Sequence, residues 1–463
     1  MKKITCLFLL LLASTQFMKA QSRLDDFILD EMDNNHISGL SAILIKDGEI
    51  KWKGNYGLAN RELNTPVSDA TIYMLASVSK TITATALMQL YEDGLFNLDD
   101  DINLYLPFSV RNPDYPDSVI TIRHLLTHTS SIRDNWNELP YSEGDPTISL
   151  ADFMYDYLSV NGANYYPALN FYNYPPQAQY NYCNVSAALC GYLVETITGT
   201  PFNEYCNENI FEPLCMENTG WFLYELDTNL IARPYSYFSG DYEDQGLYGY
   251  ADYPDGQLRT TAVSLAKFLF MNLNDGSFDG TQILQSSTID LMRTDQFPAL
   301  MAQQGLIWYY YTDNGTWWGH NGGDAGVSTD MYLNEQTNTG LIVLTNSDED
   351  HADIWNEILY AADTMNFAYS IPVACSIAVA ISEIKNLPIS IYPNPCSDLI
   401  HVHHILPGFT VTILDAFGRE VKTIRSDKQS ELSIDIADLP VGFYSIVTDD
   451  GQTVYYSKLI KVL

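Results

Sequence analysis

The amino-acid sequence predicts an α/β fold in which an antiparallel sheet with flanking helices adjoins a helical region, followed by a small C-terminal all-β sandwich domain. Two observations lead to this prediction. Strand-like runs stand at both ends of the first 365 residues, and a helical, loop-rich middle lies between them. From residue 387 onward, alternating runs are separated by turn signals without helical spacing.

The first strands are predicted to form a hairpin after a short helix. Apolar residues recur at helical spacing over 24–36. The alternating runs 40–46 and 50–56 are joined through Asp47-Gly48, a dipeptide that favours tight hairpin turns. Helices are then expected from Ser77 to Tyr91 and over 186–198.

Strand-like runs return after residue 305 and close the larger domain. They cover 306–311, 316–320, 327–333 and 340–345, and a helix is expected over 351–365. Because strands stand at both ends of this region, we expect the first hairpin and the last strands to pair into one antiparallel sheet.

The chain is expected to divide into four parts. Residues 1–20 have a positive start, a short apolar core and Ala20 before the cleavage point, as in a secretory signal peptide. The main domain covers 21–365, a linker covers 366–386 and the small all-β domain covers 387–463. No later stretch reaches 18 consecutive apolar residues, so no integral membrane segment is expected in the mature chain.

The charge is strongly acidic, with 23 Lys and Arg against 58 Asp and Glu. The negative electrostatic field of such a chain repels nucleic acid and anionic membrane surfaces, so neither is expected as a partner. Six cysteines remain after the signal, and export permits disulfides. Cys206 and Cys215 form a plausible local pair, and the sequence leaves their state open. The sequence contains no CxxC spacing, so a structural zinc site is not expected.

Ser77 and Lys80 are three residues apart, so they lie about one turn from each other on the same side of a helix. A nucleophile beside a potential base is the minimal equipment for covalent acyl transfer. The spacing alone carries little weight, because Ser264 to Lys267 and Ser382 to Lys385 repeat it.

The order of three motifs distinguishes Ser77. Ser77-Val-Ser-Lys80 is followed by Tyr182-Cys-Asn184 and then by His320-Asn-Gly322. This order resembles the SxxK, YxN and KTG or HxG motifs of the serine β-lactamase and penicillin-binding-protein-like hydrolases. Flanking stretches resemble the same family over about residues 24–365; they are 94–107, 121–130, 176–199, 256–268 and 318–326.

The resemblance implies a β-lactamase/transpeptidase-like fold with the active site between the helical region and the sheet. Ser77 is then the nucleophile that forms an acyl-enzyme, and Lys80 and Tyr182 share the proton transfer. The resemblance further implies substrate-binding roles for four residues. The backbone N–H of Gly323 forms an oxyanion hole together with that of Ser77. Asn184 orients the substrate amide, and the remaining two residues are His320 and Gly322. No cofactor or metal is expected.

His320 stands where many relatives have a lysine, and it is a weaker fixed anchor for a substrate carboxylate. We therefore expect an exported serine hydrolase of peptidase or amidase type, acting on a small-molecule or peptide substrate. A carboxylesterase is the alternative, a true β-lactamase is less favoured, and an inactive member that binds cell wall or glycan is a hypothesis of another class.

Three further features of the sequence either allow two interpretations or depart from the family pattern. The segment 164–182 is dense in tyrosine, which indicates either a tyrosine-rich surface or an aromatic wall for a substrate. His124 and His128 are spaced like metal ligands on a helix, but we expect them to be structural. Ser131 replaces a glycine that is usual in the family.

The C-terminal region resembles the sorting domain of the type IX secretion system of Bacteroidetes. The matching pieces are 391–395, 415–419, 439–444 and 458–462. This resemblance implies the secretion machinery as a partner and a location outside the cell or at its surface.

Overall fold

The structure is a computed structural model, and it describes residues 23–312, 315–364, 371–373, 391–392, 396–403, 410–414, 420–425, 431–437, 439–440, 442–449 and 454–461. The expected signal peptide lies outside these ranges. The chain divides into two compact units, residues 1–377 and 378–463.

One antiparallel sheet of eight described strands forms the centre of the first unit. Its strand order is Tyr309–Thr312, Thr316–Asp324, Val327–Asn334, Thr339–Thr345, Gly39–Lys46, Glu49–Asn60 and Ile371–Pro372, with Thr65–Pro66 beside Glu49–Asn60. The pairing of Gly39–Lys46 with Thr339–Thr345 confirms that the first hairpin and the last strands share one sheet.

The alternation along Gly39–Lys46 explains why both faces of the sheet are covered. Leu40, Ala42 and Leu44 pack with helices 23–34 and Ala352–Thr364, whereas Ile43 and Ile45 belong to the core on the opposite face. On that opposite face the core includes Leu265, Leu269 and other residues of helix Ala262–Leu273.

The helical region lies beside this sheet and carries most of the large core. Helix Ser79–Glu92 packs against helix Asn184–Thr198, and both are buried along most of their length. The other α-helices are Ile122–Leu126, Leu150–Leu158, Pro167–Asn170, Phe202–Cys206 and Ser286–Met292. Single helical turns are Ala76–Val78, Ile102–Leu104, Trp136–Glu138, Asn207–Phe211, Leu223–Glu225, Thr228–Leu230 and Tyr253–Asp255.

Short strand pairs fix the loops between these helices. They join Ile72–Met74 to Arg259–Thr261, Ser142–Glu143 to Tyr248–Gly249, Tyr235–Phe238 to Asp241–Asp244, and Ser277–Phe278 to Thr281–Gln282. The first pair matters most, because it brings the chain just before Ser77 against the segment that follows Asp255.

Three details differ from the sequence-based expectation. The strand expected to begin at Leu306 begins at Tyr309, because Ile307 has a left-handed backbone with φ +67°. Cys206 is a free buried thiol while Cys215 is disulfide-bonded, so the pairing of these two is wrong. Within the expected linker, Ile371–Pro372 pairs with Glu49–Asn60 as an edge strand.

The second unit is all-β in its described residues. Two antiparallel sheets are formed, one by Ile391–Tyr392, Leu399–His403 and Glu431–Asp435, the other by Glu420–Arg425, Thr410–Leu414, Gly442–Asp449 and Val454–Lys461. A small core joins the inner faces of both sheets and includes Ile400, Val402, Val411, Ile413, Ile434 and Ile446. This confirms the predicted all-β domain.

Two glycines with similar left-handed backbones offer a matched test of packing in the first unit. Gly57 has φ +70° and Gly199 has φ +74°. A Cβ atom on Gly57 would lie 2.2 Å from the Ser38 carbonyl oxygen, whereas a Cβ on Gly199 would meet nothing within 4 Å. Gly199→Ala is expected to lower the free energy of unfolding by about 1 kcal/mol, the cost of the backbone conformation alone. Gly57→Ala is expected to cost about 3 kcal/mol or more, because the clash is added. Urea unfolding of both variants measures the difference, and equal losses would contradict this packing.

Candidate active site

Ser77 lies in the single turn Ala76–Val78, which leads directly into helix Ser79–Glu92. Ala76 has φ +46°, a left-handed conformation that non-glycine residues seldom adopt. This turn redirects the chain from strand Ile72–Met74 into the helix. Lys80 follows one turn later, and its Nζ donates a hydrogen bond of 3.0 Å to Ser77 Oγ.

Lys80 is completely buried and is held by two oxygens of Asp255. Its Nζ donates to the Asp255 carbonyl oxygen at 2.7 Å and lies 3.5 Å from Asp255 Oδ2. Burial lowers the pKa of Lys80, but the oxygen of Tyr182 and the Asp255 carboxylate outweigh it, so the net pKa is raised. Lys80 is therefore an ammonium ion in the resting site.

The other serine–lysine spacings do not form such a pair where the structure describes them. Ser264 Oγ donates to the Glu217 carbonyl oxygen at 2.7 Å, and Lys267 Nζ donates to the Cys215 carbonyl oxygen at 2.6 Å. Each side chain is thus occupied by a separate carbonyl. Ser382 and Lys385 lie outside the described residues.

Tyr182 and Asn184 stand at the beginning of helix Asn184–Thr198. The Asp134 carboxylate accepts hydrogen bonds from the backbone N–H groups of Asn184 and Val185, at 2.9 and 3.1 Å, and so caps this helix. The ring centroid of Tyr182 lies 5.0 Å from Lys80 Nζ. Burial of its hydroxyl raises the pKa of Tyr182, and the Lys80 charge opposes part of the rise, so the phenol is neutral.

His320, Gly322 and Gly323 lie on strand Thr316–Asp324, which runs past the nucleophile. Thr329 Oγ1, on the neighbouring strand, donates to the Leu75 carbonyl oxygen at 2.7 Å and ties the sheet to the turn that carries Ser77. A Cβ atom on Gly322 would lie 2.3 Å from the Leu75 carbonyl oxygen and 3.0 Å from Ser77 N. Only glycine permits this close approach of the strand to Ser77.

His320 is buried and uncharged. Its Nδ1–H donates to the Asn321 carbonyl oxygen at 2.5 Å, which leaves Nε2 as an acceptor without a hydrogen-bond partner. Burial and the nearby Lys80 charge lower the pKa of His320 to about 3. The imidazole therefore supplies a lone pair to the site, where a lysine would supply a positive charge.

His128 enters the same space, which sequence reasoning did not anticipate. Its Nδ1 accepts a hydrogen bond from the Cys183 N–H at 3.2 Å, so Nε2 carries a proton, and that buried N–H has no partner. Its ring lies 4.5 Å from that of Tyr182. His124, in contrast, has the structural role that was expected, because its ring caps its own helix at Thr121.

Two cavities meet at Ser77 and Gly323. The histidine cavity, of about 800 Å³, is lined by His128, His320, Tyr180, Tyr182, Tyr309 and Gln304. The acidic cavity, of about 450 Å³, is lined by Trp136, Tyr141, Asn184, Tyr250 and three carboxylates, Asp252, Asp255 and Asp324. Of the tyrosine-dense segment 164–182, Tyr180 and Tyr182 contribute to the histidine cavity, which supports the aromatic-wall interpretation for those two residues.

The carboxylates of the acidic cavity were not singled out from the sequence. Asp252 precedes the single turn Tyr253–Asp255, Asp255 is its last residue, and Asp324 ends the strand that carries His320. Burial raises the pKa of Asp255 to about 7, although Lys80 opposes the rise. Burial also raises the pKa values of Asp252 and Asp324. No spacing rule marks these positions, because one turn and the end of a strand far away in the sequence bring them together.

The side chains of this centre suit acyl transfer. Ser77 Oγ is a hydroxyl of the kind that acts as a nucleophile in acyl transfer, Lys80 is a fixed positive charge beside it and Tyr182 is a neutral phenol next to both. Gly322 brings the strand close to Ser77 N, and Gly323 follows it at the edge of both cavities.

A comparison with protein families agrees with this geometry. The family model described as Beta-lactamase matches residues 24–363, which is most of the chain. The chain belongs to the β-lactamase family of serine hydrolases. The described sheet and helical region have the β-lactamase/transpeptidase fold of that family.

Individual relatives of this β-lactamase-family protein are distant. Protein flp of Staphylococcus aureus strain N315 is 24% identical over 340 residues, which are 72% of this chain and 64% of that protein. Penicillin-binding protein 4 of Amycolatopsis lactamdurans is 27% identical over 327 residues, covering 67% of this chain and 81% of the relative. The structure of D-amino acid amidase from Ochrobactrum anthropi SV3 complexed with D-phenylalanine aligns with a TM-score of 0.61 at 22% identity, covering 74% and 99% of the two chains.

A second family model, the secretion system C-terminal sorting domain, matches residues 390–462. This domain implies export through the type IX secretion system and a location outside the cell or at its surface. Among the helices that the structure describes, none is long and apolar enough to cross a membrane.

The neutral state of His320 leads to a prediction about pH. Because its pKa is lowered to about 3 from the usual 6.5, the ring keeps one charge state from about pH 5 to about pH 8. We expect the pH profile of kcat/KM on an uncharged ester to show the same ionisations in the wild type and in His320→Gln, whatever the absolute rates. An ionisation near 7 that survives the substitution belongs to another group, such as the Asp255 carboxyl. A limb near 6.5 that is present in the wild type and missing in His320→Gln would contradict the assignment.

Proposed function

We propose that this protein is an exported serine hydrolase that cleaves an amide or ester bond through an acyl-enzyme on Ser77. The observation that carries the proposal is the 3.0 Å hydrogen bond from the buried Lys80 ammonium to Ser77 Oγ, with the Tyr182 phenol beside the pair. The Lys80 ammonium and the Tyr182 phenol lie beside Ser77 Oγ, and Ser77 lines both cavities.

The resting charge states favour a proton relay. Ser77 Oγ attacks the carbonyl carbon while its proton moves to the Tyr182 oxygen, and Tyr182 gives its own proton to the departing nitrogen or oxygen. The bond from Oγ to the carbonyl carbon forms, and the bond to the leaving group breaks. Lys80 stabilises the negative charge that passes between the two oxygens, and the N–H groups of Ser77 and Gly323 hold the oxyanion. Water then releases the acyl group by the reverse route.

The relay assigns the two cavities to the two parts of the substrate. Tyr182 and His320 line the histidine cavity, so the leaving group that receives the proton lies there. Asn184 lines the acidic cavity, so the acyl part of the substrate lies there, with Asn184 orienting its amide. A peptidase or amidase fits this division. A carboxylesterase is the alternative, because the same relay can protonate an alkoxide.

Labelling with a fluorophosphonate tests the nucleophile. Wild-type protein is expected to react at Ser77, and Ser77→Ala is expected to lose the label and all hydrolysis. Ser264→Ala is the matched control, since it removes a serine with the same SxxK spacing whose hydroxyl is bound to the Glu217 carbonyl. Absence of labelling in the wild type, or equal labelling of Ser77→Ala, would refute the proposal. Matched amide and ester substrates in the same assay then separate amidase from carboxylesterase.

A second pair of variants tests the relay. Tyr182→Phe removes the hydroxyl and is expected to lower kcat by about 10²-fold or more, the usual contribution of general acid–base catalysis. Tyr180→Phe is the control, because it removes a hydroxyl from the same cavity without a place beside Lys80. Single-turnover acylation rates on an amide measure both. A loss that is the same for the two variants would show that Tyr182 has no special role in proton transfer.

A further inference from the structure

The acidic cavity has more carboxyl groups than Lys80 requires. Lys80 Nζ is surrounded by Ser77 Oγ, the Asp255 carbonyl oxygen and Asp255 Oδ2, and it also hydrogen-bonds the Tyr182 side chain. Asp252 and Asp324 therefore are not needed to hold it. Among the described residues that line this cavity, none is a lysine or an arginine.

One carboxylate oxygen in the cavity lacks a hydrogen-bond donor. Asp255 is only 6% exposed, and its Oδ1 atom is buried without a hydrogen-bond partner. A buried carboxylate oxygen without a donor is energetically costly, and a ligand N–H would remove that cost. The oxygens of Asp324 differ, because its Oδ1 already accepts from Tyr141 Oη at 2.7 Å and from the Ala325 N–H at 2.8 Å.

Aromatic rings complete the wall of the acidic cavity. Tyr141 and Tyr250 lie with their ring centroids 5.8 Å apart and almost perpendicular, so that a face and an edge are presented side by side. Trp136 stands at the same cavity with 67% of its surface exposed. Ring faces next to carboxylates favour an organic cation, which gains a cation–π contact as well as an ion pair.

The position of Asp255 limits where such a cation can lie on a substrate. Asp255 Oδ2 is 3.5 Å from Lys80 Nζ, and Lys80 Nζ is 3.0 Å from the attacking Ser77 Oγ. The carboxylate is thus separated from the nucleophile by one ammonium group. A cation that reaches it from a bound acyl group belongs on the carbon next to the scissile carbonyl.

We propose that the acidic cavity selects acyl donors with a free ammonium group on the carbon next to the scissile carbonyl, that is, aminoacyl amides or esters with an unblocked amino terminus. This inference rests on the proposed acyl-enzyme function and specifies its substrate. Asp255 Oδ1 accepts a hydrogen bond from the ammonium, whose positive charge in turn favours the ionised forms of Asp252 and Asp324. Trp136 and Tyr141 border the side chain or the ammonium at the mouth of the cavity.

The test compares substrates that differ only at this group. Alanine p-nitroanilide, as both enantiomers, is compared at about pH 7 with its 2-hydroxypropionyl and N-acetyl counterparts, whose corresponding position is uncharged. We expect kcat/KM for one alanine enantiomer to exceed that for the 2-hydroxypropionyl substrate by about tenfold or more, the usual effect of a charge-assisted hydrogen bond. A wild-type ratio near one, or a preference for the uncharged substrates, would overturn the proposal.

Variants locate the selectivity. Asp252→Asn and Asp324→Asn are each expected to reduce the ratio of ammonium to hydroxyl substrate by about threefold or more. Asp279→Asn removes one charge from an exposed turn, at a left-handed residue where asparagine is well tolerated, and is expected to keep the wild-type ratio. An unchanged ratio in both cavity variants, or an equal fall in Asp279→Asn, would contradict a local role.

Boronic acids keep the test decisive if anilides turn over too slowly. Protection of Ser77 from the fluorophosphonate is measured with 1-aminoethylboronic acid and with isopropylboronic acid, in which a methyl group replaces the ammonium. Stronger protection by the amino compound, by about tenfold in concentration, supports the proposal, and equal protection refutes it. Failure of the proposed function itself would be recognised separately, because the wild type would then not be labelled at all.

Discussion

The contacts of one buried ammonium group, Lys80 Nζ, hold this active site together. An ammonium ion loses several kcal/mol of hydration when it is buried, and the loss is recovered only if nearby oxygens replace the water. Here the oxygens come from Ser77 and from the main chain and side chain of Asp255, which are far apart in the sequence. The turn that carries the nucleophile and the segment 253–258 are therefore fixed to each other by a requirement of solvation.

The neighbouring contacts extend this arrangement to the sheet. Leu75 N–H donates to the Leu258 carbonyl oxygen at 2.8 Å, and the Leu75 carbonyl oxygen accepts from Thr329 Oγ1. Leu75, two residues before Ser77, is thus bound on one side to the segment around Leu258 and on the other to the sheet. Ala76 keeps its left-handed backbone because both neighbours are fixed, and Gly322 is small enough to let the strand pass. The position of Ser77 beside the strand depends on all of these contacts together.

The sequence predicted the parts of this protein that follow from periodicity and motif order. Alternation over 40–46 and 340–345 predicted strands of one sheet, and Ser77, Lys80, Tyr182 and His320 were expected to converge, as they do. Residues on irregular loops could not be found in this way. Asp252, Asp255 and Trp136 reach the site through single helical turns whose placement is set by tertiary contacts, and no local pattern records it. The sequence could not decide the state of Cys206 for the same reason, since closeness in the sequence does not determine which two thiols lie within bonding distance.

The departure at Ser131 shows how the structure explains a motif. Its φ is +63°, a conformation that glycine adopts without strain, which accounts for the usual glycine at this position. In this chain Ser131 occupies that position, and its Oγ accepts a hydrogen bond of 2.9 Å from Asn112 Nδ2. The same Asn112 amide also donates to the carbonyl oxygens of Tyr172 and Tyr174, so it fixes the tyrosine-dense segment just before Tyr180 and Tyr182.

The electrostatics of the two cavities support one direction of substrate preference. Where a lysine would attract a carboxylate, His320 is neutral and offers only a lone pair at Nε2. On the other side of Ser77 three aspartates line the wall, and the whole chain carries a net charge of -35. An anionic substrate would be repelled by the ionised aspartates on one side, and on the other side His320 supplies no positive charge, while Lys80 is already bound by Ser77, Asp255 and Tyr182. The same field attracts a cation before binding and stabilises it afterwards. The neutral His320 and the three aspartates therefore act in the same sense, although they lie on different elements of the fold.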